Sequence, residues 1–101
     1  MNQPLIIIND AVLSRATILY RTTHDDEHIE NLASVCPIPN ADITARYEWA
    51  EFKLASTCLA HACKLGYETW RLAEKNEKYV YVARLIVRKY DADRANESGQ
   101  A

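Results

Sequence analysis

From Ile43 to Leu65 the chain contains neither glycine nor proline and is rich in alanine and leucine. Nothing there interrupts a helical hydrogen-bond ladder, so the stretch predicts one long helix. Asn40, Asp42 and Thr44 offer caps at its start, and Gly66 directly follows its end, where a left-handed closing residue is favoured. At about 100° per residue, Ala55, Cys58 and Ala62 share a narrow strip. Tyr47, Leu54 and Leu65 flank it on one side, Phe52 and Leu59 on the other. Small residues between larger ones let a helix lie close on a sheet. Glu48 and Glu51 fall on the same face near the N-terminal end, which places that end beyond the sheet. Arg46, Trp49, Lys53, Ala60 and Lys64 point away from it.

The segments around this helix read as β-structure. Leu5 to Ile8 is a short β-branched run, Asn9-Asp10 a turn signal, and Arg15 to Thr22 a second strand. A short helix is expected from about Asp26 to Val35, started by Asp25 or Asp26 and ended by Cys36-Pro37-Ile38-Pro39-Asn40. Tyr67 to Ala73 alternates, Lys75 to Lys78 makes a turn, and Tyr79 to Tyr90 carries apolar residues at Tyr79, Tyr81, Ala83, Leu85 and Val87. The order ββααββ predicts an α+β fold. A three- to four-stranded antiparallel sheet would carry the long helix on one face, beside one short helix. Residues 1–90 form this single domain, and residues 91–101 are expected to be a disordered acidic tail.

Glycine scarcity narrows the chemistry. Of the two glycines, Gly99 lies in the tail, which leaves Gly66 alone for the folded region. Walker, dinucleotide and kinase-type phosphate loops each need several close glycines, so they are excluded. The 101 residues hold three cysteines, an odd number that argues against a disulfide scaffold and for a reducing, cytoplasmic setting. No apolar run suits a membrane span or a secretory leader.

Three clusters suggest catalysis or metal binding, and none reads as a site. His24 and His28 are four apart, with Cys36 as a conceivable third ligand, but the aspartates around them fit a helix start better. His28-Ile29-Glu30 echoes half of a zinc deaminase signature whose second half is missing. Cys58 and His61 lie within one helical turn, with no third group to orient them. No catalytic residue, metal ligand or cofactor is therefore assigned.

Surface composition carries the functional reading. On the expected sheet face, Arg21, Tyr67, Arg71, Arg84 and Arg88 would share one surface. On the long helix, Trp49 stands between Arg46 and Lys53, either exposed as an anchor or packed beneath the short helix or the Pro37–Pro39 segment. Arginine interleaved with aromatics is the composition of interaction hot spots. Asp25, Asp26, Glu27 and Glu30 form an acidic run able to imitate phosphate spacing. The expectation is a small, non-catalytic protein-binding module or inhibitor that sterically occludes a larger complex. Phage and mobile-element proteins that block host defence nucleases such as CRISPR-Cas complexes are of this size and kind. The alternatives are a nucleic-acid-binding domain using the arginine-bearing sheet face, and a small metal-binding domain. Against nucleic acid stand the pI of about 5.9 and the absence of a basic run. A homodimer through Leu19, Tyr67 and Ile86 is a further possibility.

Overall fold

The structure, a computed structural model, describes residues 6–98. Five helices make up the fold, and no strand occurs among the described residues: α1 (Asp10–Thr23), α2 (Asp26–Ser34), α3 (Ile43–Ala62), α4 (Tyr67–Ala73) and α5 (Glu77–Ser98). The expected α+β fold with its antiparallel sheet is thereby corrected to an all-helical bundle.

Each expected strand has a local reason to be helical. Asn9-Asp10 starts a helix: the Asn9 side chain accepts from the Val12 N–H at 2.9 Å, and Asp10 occupies the first turn of α1. Val12, Ala16 and Tyr20 then recur every four residues and are all buried, while Ile18 and Leu19 face outward. Those two exposed apolar residues gave Arg15 to Thr22 its β-like look. In α5, Tyr79, Val82, Ala83 and Ile86 are buried and Val87 and Tyr90 half-buried. This is helical spacing, and the odd-numbered alternation ran through it by coincidence; Tyr81 is exposed. In α4, Trp70 and Ala73 turn inward one turn apart. Leu5 lies outside the described residues, and Ile6 to Asn9 precede α1 without regular structure.

α5 continues through Ser98, over most of the segment expected to be a disordered tail. Arg21 of α1 pairs with Asp93 there, and Arg94 donates to the Tyr90 hydroxyl at 3.0 Å. Residues 99–101 lie outside the described residues.

The long helix and the short one form where expected. Asp42 caps α3 by accepting from the Ala45 N–H at 2.8 Å. Its C-terminus closes differently. Lys64, with φ 58°, is the left-handed residue. The Leu65 N–H reaches the Ala60 carbonyl and the Lys64 N–H the His61 carbonyl, a Schellman closure. Gly66 has an ordinary φ of -75° and caps α4 instead; a methyl group added there would meet open space.

α3 is the hub. α1, α2 and α5 all pack on it, and α1 also touches α5. The strip of Ala55, Cys58 and Ala62 is buried as its spacing predicts, but against helices. Burial extends round the whole middle of α3, because Ser56 and Ala60 on the other side are covered too. The Trp70 indole donates to the Ser56 hydroxyl at 3.1 Å, and the Tyr79 hydroxyl donates to the Ser56 carbonyl at 2.5 Å. Ala60 therefore does not point outward.

Candidate interaction grooves

Two helices that cross leave a valley wherever their contact residues are small or diverge. Between α3 and α5 such a valley encloses about 560 Å³. Trp49 and Phe52 of α3 form one wall, and Arg84, Val87 and Arg88 of α5 the other, with Ile38 of the proline segment beside them. The Arg84 guanidinium lies over the Phe52 ring, 5.7 Å from its centroid. Glu48, Glu51 and Asp91 add three carboxylates to the lining. The result is an aromatic and aliphatic floor with charges of both signs on its margin.

This groove joins residues that the sequence placed on two separate surfaces. Trp49, half-buried, lines the same valley as Ile38, Arg84 and Arg88, so it is neither the fully exposed anchor nor the fully covered side chain of the two expectations. The remaining expected contacts are dispersed. Arg21 is on α1, engaged with Asp93. Tyr67 and Arg71 are on α4, where the guanidinium lies 5.9 Å from the tyrosine ring centroid. Lys53 bonds Glu74 at 3.0 Å and lies over the Trp70 ring at 4.6 Å. The Arg46 Nε donates to the Ala41 carbonyl at 3.1 Å. A common arginine face across Arg21, Tyr67, Arg71, Arg84 and Arg88 does not exist, because it required a sheet. Nor do Leu19, Tyr67 and Ile86 share a surface, since Ile86 is 1% exposed. The acids Asp25, Asp26, Glu27 and Glu30 are exposed on and before α2, and Glu30 accepts from the Tyr47 hydroxyl at 3.4 Å.

Behind the groove lies a cluster that sequence reasoning missed. His24 does not face His28; its Nε2 donates to Glu51 at 3.0 Å. Tyr90 stacks on the imidazole at 4.3 Å, and Tyr20 meets both rings edge-on. The Tyr20 hydroxyl is buried without a hydrogen-bond partner. Burial, then the nearby Glu51 and Asp91 carboxylates, push its ionisation well above the usual phenol range. The signal in the sequence was Tyr20-x-x-x-His24, a same-face helical pair ending at a helix C-terminus.

The thiols are quiet. Burial pushes the Cys58 thiol up, opposed by its contact with the Thr23 hydroxyl at 3.5 Å, while His61 is exposed. Among the described residues no three His, Cys, Asp or Glu side chains gather as a metal ion requires. No helix there is long and apolar enough to cross a membrane.

A second valley, between α1 and α5, encloses about 630 Å³ and is lined largely by Leu13, Ile18, Leu85 and Ile86. No family model, curated protein or solved structure matches this chain.

Proposed function

We propose that the protein is a non-catalytic binding module that occludes a working surface of a larger protein complex, with the α3–α5 groove as its contact. The supporting observation is the convergence of Trp49, Phe52, Arg84 and Arg88 in one valley. Trp and Arg are the side chains that dominate binding energy at protein interfaces, especially around a partly enclosed apolar centre. The matching partner inserts an apolar or aromatic side chain and frames it with charges of both signs. Complexes of defence nucleases remain the partner class in view. A reducing cytoplasmic setting suits the three free cysteines, Cys36, Cys58 and Cys63.

The nucleic-acid reading loses its support with the sheet, since Arg21, Arg71 and Arg84 lie on three different helices.

The test is capture from host extract with the intact chain, then with Trp49→Ala and with Arg84→Glu. Each variant is expected to weaken capture at least about tenfold, as loss of a hot-spot residue does. Arg71→Glu, on α4, is expected to leave it unchanged. Added to the captured complex, the protein should inhibit only as it fills sites one for one; inhibition by far less than one equivalent would mean catalysis. Undiminished capture by both groove variants sinks the assignment.

A further inference from the structure

The two walls of the α3–α5 valley are helical stripes with the same spacing. On α3 the stripe runs Ala45, Glu48, Trp49, Phe52, and on α5 it runs Arg84, Val87, Arg88, Asp91. Both follow i, i+3, i+4, i+7, about 10 Å along each axis. The helices are antiparallel here. The Tyr79 hydroxyl reaches the Ser56 carbonyl, the Arg84 guanidinium covers Phe52, and Tyr90 stacks on the His24 ring that bonds Glu51. On that course Val87 and Arg88 stand level with Trp49 and Glu48, and Asp91 with Ala45. The floor of Ala45, Trp49, Phe52 and Val87 is half-buried, while Glu48, Arg84, Arg88 and Asp91 form an exposed rim. The sign of charge changes along the valley, from Arg84 at one end to Asp91 at the other, with Arg88 facing Glu48 between them. Among the described residues none of these four takes part in an ion pair, whereas Glu51 at the base is already held by His24.

We propose that this valley takes an amphipathic helix of the partner protein. Its contact stripe carries an acidic and a basic residue seven positions apart, with two large apolar residues between them. The inference rests on the reading of this valley as the contact, and it names what fills it. Two walls of helical stripes receive the ridge of a third helix, which anchors through its own i, i+3, i+4 and i+7 positions. Seven residues of such a helix rise about 10 Å, the same rise that separates Arg84 from Asp91 along α5. The acid then meets Arg84, the base meets Asp91, and the apolar pair lies on Trp49, Phe52 and Val87. Because Arg88 faces Glu48, the middle of the rim favours neither sign. The rim charges thereby gain partners of opposite sign, which fixes the register of the bound helix. Ile38, 48% exposed and lining the same valley, gains cover. An extended segment has no equivalent support, since no strand occurs among the described residues for it to pair with.

The test is selection from a displayed peptide library with the intact chain as bait. Each member is an alanine-rich helix of about fifteen residues, with the i, i+3, i+4 and i+7 positions of one stripe randomised. The selected pool is expected to carry opposite charges at i and i+7 and large apolar or aromatic residues between them. One selected sequence, made as a free peptide, should bind Trp49→Ala at least about tenfold more weakly. Proline at the centre of that peptide should weaken its binding to the intact chain as much. Arg84→Glu with Arg88→Glu makes the whole rim acidic and should select bases at both ends. Asp91→Lys should select acids at both ends. Circular dichroism shows whether these variants are folded; if one is not, the other decides. An empty selection, or a pool without opposite end charges, overturns the proposal. So do end charges that stay opposite in the folded rim variants, or undiminished binding of the proline peptide or of Trp49→Ala. Loss of host capture in the groove variants with no charge pattern in the pool overturns the bound helix alone. The charge pattern together with undiminished host capture overturns the occlusion reading alone.

Discussion

His24 Nε2 lies 3.0 Å from Glu51 Oε2, so the last residue capping α1 is fastened to the outer half of α3. The imidazole is also sandwiched by aromatic rings, stacked on Tyr90 of α5 and edge-on to Tyr20. One side chain thus joins three helices. His24→Ala is expected to cost about 1–3 kcal/mol, from a lost charge-assisted hydrogen bond and ring contacts. Urea unfolding checks it. A double-mutant cycle with Glu51→Ala should show a coupling of about 0.5 kcal/mol or more; strictly additive losses would mean the contact is not formed.

Two buried tyrosines make opposite predictions. Tyr79 donates its hydroxyl to the Ser56 carbonyl, so Tyr79→Phe should cost about 1 kcal/mol or more. The Tyr20 hydroxyl has no partner, so Tyr20→Phe should be neutral or stabilise by up to about 1 kcal/mol. Thermal melts of both variants decide between them.

The same tyrosines set an alkaline limit. Burial raises both ionisations above the unfolded value of about 10. Between those values the unfolded chain holds fewer protons than the folded one, so stability falls as pH rises. Their contribution should be fully present below about pH 10 and decline above it. Tyr20→Phe should shallow that decline. A pH series of denaturant midpoints measures it.

Ala55 is fully buried in the strip where α3 is narrowest. Ala55→Leu should overpack it and cost about 1–3 kcal/mol or more, read as a lowered melting temperature. Cys58, in the same strip, should resist thiol labelling until the chain unfolds, because burial disfavours its thiolate. Rapid labelling of Cys58 in the native state would contradict the packing.

Composition at Ile43 to Leu65 was enough to read α3 and the buried strip of Ala55, Cys58 and Ala62, while of the three possible caps Asn40, Asp42 and Thr44 it is Asp42 that forms. The α2 limits were legible for the same reason, an acidic start and a proline stop. The flanking helices were not, because a half-buried helix with exposed apolar residues also alternates over short distances. Tyr79, Val82, Ala83 and Ile86 define the helix, yet Tyr81 and Leu85 between them complete a strand-like pattern. Gly66 misled for a different reason: lysine can take a left-handed φ at modest cost, so Lys64 closed α3 instead. Trp49 and Arg84 were each expected on a contact surface, but on two separate ones. Their meeting across α3 and α5 depends on tertiary packing, which no local pattern contains.

Because α1, α2 and α5 all lean on α3, the order of synthesis matters. α1 and α2 leave the ribosome before their shared support exists. At about 5–20 residues per second, they wait a few seconds for α3 to follow. Until then Tyr20, Ile29 and Ala33 have nothing to cover them, and short isolated helices are marginal in water. The final seal comes later still, when α5 brings Asp93 to Arg21 across 72 residues of chain. A nascent chain stalled before α3 would thus display the apolar sides of α1 and α2, making that interval the one in which chaperone binding has the most to hold.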